Sequence, residues 1–281
     1  MKTIAVLTDL SANANHTTRF ALRIAKKMKA KVLLFSLCPV AVIKNLVPAG
    51  ETEPSFIVGN PIEDFASCME QDLKNRAFQG SYLPEISFNN TDTELVDIMT
   101  TIMGNKNISM IVMAPPVNVD MADFILSDAF TRIIDWATVP VMLVPEYAVI
   151  KNFEKIAFAS MLHAYDIDSV GELGNLMESF AAELMVAHLN ENPSDPIVQD
   201  AEKQLNQDLY RKLNCGGVYF RSIPDTGHQK NWDWLKANKK TDLLAVVQGP
   251  KEQMVKFFNR GTNLYATYHI NIPVIILPKL P

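Results

Sequence analysis

The chain has 281 residues, of which 48% are hydrophobic and 20% charged, with a formal net charge of −5 at pH 7. Its length accommodates two domains of about 140 residues, each large enough for its own core, and its acidic balance argues against a dedicated nucleic-acid binder with a basic face. No apolar run approaches the ~20 residues of a membrane span, and Cys38, Cys68 and Cys215 are scattered without C-x-x-C spacing, which together point to a cytoplasmic protein with reduced thiols and no membrane partner.

Residues 3 to 8 read as a first strand, followed by Ser11 as the N-cap of a helix with Phe20, Ala21, Ile24, Ala25 and Met28 on one stripe. Lys31 to Leu37 is a second strand. Residues 38 to 60 form a connection more apolar than a solvated loop, of a length that usually covers or binds something. A helix follows Asn60-Pro61 to about Phe78, then a strand near Glu85 to Phe88, then a helix from Asp92 to Met103 that Gly104 stops. Ile108 to Met113 is a fourth strand, and one helix from about Asp123 to Ala137 leads into the apolar run Val139–Pro145. After a linker at 146 to 153 the plan recurs, with strands at 155–159, 183–189, 217–221, 243–247 and 273–277. Helices are expected near 166–180, 196–213, 229–238 and 252–268. Alternating strands and helices of these lengths specify a parallel sheet with helices on both faces.

The chain reads as one fold written twice. Ile4-Ala5 returns as Ile156-Ala157, and Lys31-Val32-Leu33 aligns with Glu183-Leu184-Met185, both 152 residues on. The Pro-fenced runs Val139–Pro145 and Ile272–Pro278 stand 133 apart. A period this long indicates duplicated domains, expected at 1–146 and 153–281, rather than a solenoid.

Several stretches, weak individually, carry a family resemblance through their order and recurrence. They are Ile4-Ala5-Val6-Leu7-Thr8-Asp9-Leu10-Ser11, then Phe20 to Lys27 with Ala30-Lys31-Val32, then Ile111-Val112-Met113 and the two Pro-bracketed strands. Over essentially its whole length the chain resembles a tandem universal stress protein. The resemblance implies two Rossmann-like domains of the adenine nucleotide alpha hydrolase-like kind, each a five-stranded parallel sheet of order 3-2-1-4-5. It implies a ligand cleft where the order reverses between strands 1 and 4. It also implies that the fifth strands pair with each other, here within one chain as an intramolecular pseudo-dimer, with a homodimer as a further arrangement.

Nucleotide-binding members of that family carry an Asp after strand 1 and G-x2-G-x9-G-[ST] after strand 4, because glycines let backbone N–H groups approach phosphates. Asp9 fills the first place. Counting back from Pro140, the glycine positions fall on Ala114, Val117 and Ser127, with Asp128 at the hydroxyl position, where its charge would repel phosphate. In the second half Met161 replaces the Asp, and counting back from Pro273 gives Val247, Pro250 and Arg260. A one-residue slip makes Gly261-Thr262 the terminal pair. Asn118 and Asp120 after strand 4, and Gly249 and Gly261, are further candidates for ligand contact, weighed against ordinary turn and packing roles.

The five histidines show no H-E-x-x-H or i, i+4 pattern, so no metal is expected. G-x-S-x-G, G-x4-G-K-[ST] and G-x-G-x-x-G are likewise missing, and so is any assignable acid–base pair. The expectation is a non-catalytic stress-response or regulatory protein with degenerate nucleotide clefts, ATP and AMP disfavoured as cofactors, acting on a protein partner or another small ligand. The alternative is an adenine-nucleotide or adenosine-like binder using the first cleft near Asp9.

Overall fold

The computed structural model describes residues 1–37, 60–76, 78, 80–89, 94–163, 165–190, 192–212, 217–224, 241–250, 254, 258 and 270–279. The expected 38–60 connection and the helices expected near 229–238 and 252–268 lie outside the described residues, apart from Asn60, Met254 and Phe258. The strands are β1 (Thr3–Thr8), β2 (Lys31–Ser36), β3 (Ile86–Asn89), β4 (Ile108–Met113) and β5 (Val141–Leu143). They continue as β6 (Lys155–Ser160), β7 (Glu183–Asn190), β8 (Val218–Pro224), β9 (Leu243–Val247) and β10 (Val274–Leu277). The helices are α1 (Ala12–Met28), α2 (Pro61–Asn75), α3 (Leu95–Gly104), α4 (Met121–Ile125), α5 (Asp128–Trp136), α6 (Asp166–Glu172), α7 (Gly174–Phe180) and α8 (Pro196–Lys212).

Among the described residues ten strands join one sheet in the order β3-β2-β1-β4-β5-β10-β9-β6-β7-β8, parallel within each half. Read inward from either edge, the order is third, second, first, fourth, fifth strand of that half. The register repeats as well: Thr3↔Lys31 returns as Lys155↔Glu183, each residue 152 further on. At the centre β5 and β10 run antiparallel with Met142 opposite Ile275, flanked by Val141↔Ile276 and Leu143↔Val274. Met142 and Ile275 stand 133 apart in the chain, as do Val141 and Val274, and Leu143 and Ile276, so the seam is self-complementary about the Met142–Ile275 pair, as an isologous contact is.

Alternation along the strands divides the core between two faces. Ile4, Val6, Val32 and Leu34 bury with Ile156, Phe158, Leu184 and Val186 under α1, α2 and α6 to α8. Ala5, Leu7 and Phe35 bury with Ala157, Met185 and Leu244 under α3 to α5. Each cluster therefore runs through both halves of the sheet. The segment between the halves is anchored: Ala148 and Phe153 are buried, and Phe153 lies between Phe20 of α1 and Phe180 of α7 at centroid distances of 5.9 and 4.7 Å.

Four local expectations are corrected. The helix expected from Asp123 to Ala137 is two helices, because Ser127 takes extended backbone and caps a new helix with its own hydroxyl. The helix expected over 166–180 is interrupted at Leu173, between Gly171 and Gly174, where two glycines within one turn weaken the helix. Gly104 is the last residue of α3 rather than a left-handed stop; Asn105, with φ −96°, is the C-cap. Ser11 stands at the N-cap of α1 but its side chain makes no capping bond. Instead the Asp9 carboxylate accepts the Ser11 N–H at 3.0 Å.

Candidate functional site

β1 has β2 on one side and β4 on the other, so the order reverses there and the C-terminal ends of β1 and β4 open a crevice. A cleft of about 300 Å³ occupies this place. Asp9 and Ala114 line it, with Leu7, Met113, Phe124 and Ile133 forming apolar walls. Asp9 is exposed, and Thr17 of α1 reaches the cleft while only 2% exposed.

The backbone at the mouth is strained. Leu10 has φ 56°, a left-handed conformation that costs a branched side chain energy, and the Thr8 hydroxyl takes its N–H at 3.1 Å. The second half repeats the device 152 residues on: Leu162 has φ 59° and donates its N–H to the Ser160 hydroxyl at 3.1 Å. Beyond these residues the halves diverge. Asp166 stands where the first half has Ala14, is 1% exposed, and accepts the Ser160 hydroxyl at 2.5 Å and the His163 N–H at 3.2 Å. Burial pushes its carboxyl above the usual carboxylate range, partly countered by the Ser160 and His163 hydrogen bonds.

After β4 the chain offers little to a phosphate. Pro115 and Pro116 carry no N–H, so two donors of a backbone nest are missing. The loop then closes with the Val119 N–H on the Pro116 carbonyl at 3.1 Å, and Asn118 at φ 64° supplies the positive φ a type II turn needs at its third residue. Val117 and Asn118 are exposed on this turn and do not line the cleft. Asp120 caps α4 by accepting the Ala122 N–H at 2.9 Å. Ser127 donates to the Phe124 carbonyl at 2.7 Å and accepts the Phe130 N–H at 3.2 Å. Asp128 follows as the exposed first residue of α5, where a carboxylate favours the helix dipole.

The candidates are thus only partly assembled. Asp9 and Ala114 meet in the first cleft; Ser127 and Asp128 stand at the adjoining helix start. Gly249 lies elsewhere, in a second cavity of about 330 Å³ between α5 and the end of β9, where Gln248 donates to Asp135 at 2.8 Å. Gly261 and Thr262 lie outside the described residues. Sequence reasoning missed Thr17 and the Pro115–Pro116 pair. The prolines were visible in the sequence as missing N–H groups, whereas Thr17, three residues after Ala14 on the same helix face, had no signal without the fold. Among the described residues no group of three His, Cys, Asp or Glu could hold a metal ion, and no helix is long and apolar enough to cross a membrane.

No family model and no curated protein matches the sequence. Solved structures do match its shape. A universal stress protein from Archaeoglobus fulgidus DSM 4304 is 12% identical with a TM-score of 0.53, covering 98% of each chain. A functionally unknown protein from Pseudomonas aeruginosa PAO1 is 12% identical with a TM-score of 0.58, covering 99% of this chain and 92% of that one. The cytoplasmic domain of a prokaryotic cation chloride cotransporter is 11% identical with a TM-score of 0.56, covering 98% of this chain and 94% of that one. With its sheet order, its helices on both faces and its full-length match, the chain has the α/β, Rossmann-like fold of the universal stress proteins.

Proposed function

We propose that the chain is a non-catalytic stress-response or regulatory protein, internally duplicated as a pseudo-dimer, whose clefts no longer hold a nucleoside triphosphate. The observation that carries this reading is the start of α5. There the Ser127 hydroxyl already spends itself on the Phe124 carbonyl and the Phe130 N–H, and Asp128 adds negative charge. A phosphate at that helix end would have to displace a cap and sit beside a carboxylate, with no backbone donors from Pro115 or Pro116. The protein then acts through a protein partner or a different small ligand.

A second reading, favoured by Asp9 at the cleft wall, is recognition of an adenosine-like compound without phosphate contacts. A thermal-shift series with ATP, AMP and adenosine separates the two. A ligand present at 100 times its Kd stabilises the native state by about 2.7 kcal/mol, which such a scan resolves. The expected result is no shift with ATP, with or without magnesium. A rise in Tm with ATP overturns the main reading, and a rise with adenosine alone that Asp9→Ala removes selects the second.

A further inference from the structure

We propose that the cleft between β1 and β4 binds a small, uncharged, largely apolar ligand that hydrogen-bonds the Thr17 hydroxyl. The inference rests on the reading that the triphosphate cradle is lost, and it names the chemistry that the remaining space suits.

Thr17 sits on α1 at 2% exposure and is one of the residues that line the cleft, and its Oγ1 is buried without a hydrogen-bond partner. A threonine inside a helix ordinarily gives its proton to the carbonyl one turn back, as Thr100 does to Val96 and Thr101 to Asp97 at 2.8 and 2.9 Å. Thr17 does not. A buried hydroxyl left unspent beside an open cavity is a polar group waiting for a partner from that cavity. The neighbouring Thr8 hydroxyl cannot serve as freely, since it already takes the Leu10 N–H.

The remaining surface sets the ligand class. Its walls are mainly aliphatic and aromatic, from Leu7, Leu95, Met113, Phe124 and Ile133, and among the described residues no Lys or Arg lines the cleft. Among the described lining residues the charged group is Asp9, at the exposed mouth, which disfavours an anion. A volume of about 300 Å³ admits a ligand of one or two rings. Apolar walls supply affinity, and a single inner hydroxyl sets orientation.

The test uses the full chain and a neutral fluorophore with one N–H, N-phenyl-1-naphthylamine. Saturable one-site binding is expected, weakened about tenfold by Thr17→Val, the worth of one hydrogen bond of ordinary strength. Ala129→Phe, at an exposed position on the rim, should abolish it without disturbing the core. That variant keeps the test open if Thr17→Val fails to fold. Benzyl alcohol should displace the probe and benzoate should not. No saturable binding, or binding indifferent to Ala129→Phe, overturns the site; binding lost in Ala129→Phe but unchanged in a folded Thr17→Val overturns the anchor. Displacement of the probe by ATP would strike down the function proposed above while leaving the pocket, whereas no binding by either probe or ATP strikes down the pocket alone.

Discussion

Asp166 and Ala14 occupy equivalent places on the two halves, and the exchange of a methyl group for a carboxyl changes what each crevice can do. In the first half Ala14 leaves room at the cleft. In the second, the Asp166 side chain fills its surroundings with a hydrogen-bonded turn through Ser160 and His163. Its burial has a thermodynamic signature. Because burial raises the folded-state pKa above that of an exposed carboxyl, the native state binds the proton more tightly than the unfolded chain. The stabilising contribution is therefore fully present below the unfolded value and lost as pH rises through the folded one. At neutral pH the wild type carries the cost of a buried charge, which an amide of the same shape does not. We predict that Asp166→Asn raises Tm at pH 7 and that the gain shrinks as pH falls toward 4. Equal Tm differences across that range, followed by calorimetry, would show that the carboxyl titrates as if exposed.

Elements built from strong local patterns were the ones the sequence announced. The bounds of β1, β4 and β9 match the expected strands, because apolar runs of five or six residues flanked by turns have little choice in a two-sided parallel sheet. Helix continuity was less visible. The stripe Leu126, Phe130, Ile133 and Ile134 keeps its period through Ser127, so hydrophobic spacing alone cannot reveal that this serine starts a new helix. The candidate site was harder still, since motif counting locates backbone positions, whereas Thr17 acquires meaning only when α1 is laid beside the end of β1. The segment between halves shows the same limit: it reads as a short linker, yet Phe153 is 2% exposed and packs on rings from two helices. Truncating a buried aromatic loses transfer energy and leaves a cavity. Phe153→Ala is accordingly predicted to cost about 4 kcal/mol, measurable by urea unfolding. A loss below about 1 kcal/mol would mean that the linker clasps nothing.

Across the whole molecule, the question is whether two halves with the same strand order unfold as two units or one. The connection at 146–153 would permit either. The seam decides between them: β5 and β10 close a continuous sheet, and the core clusters run from one half into the other through Met142, Val144, Ile275 and Leu277 on one face and Val141, Leu143, Val274 and Ile276 on the other. Side chains at 0–1% exposure along that line have no solvated alternative, so unfolding one half strips a buried face from its neighbour. Cooperative units follow shared buried surface rather than chain length. We therefore predict a single unfolding transition in urea, with far-UV dichroism and tryptophan fluorescence coincident, although independent domains of this size would commonly give two. Met142→Asp places a charge opposite Ile275 at the centre of the seam, in a position with no partner. It should uncouple the halves and split the transition, or lower the shared midpoint steeply. Two separate transitions in the wild type, or a Met142→Asp protein that unfolds like it, would mean that the sheet is continuous in geometry but not in energy.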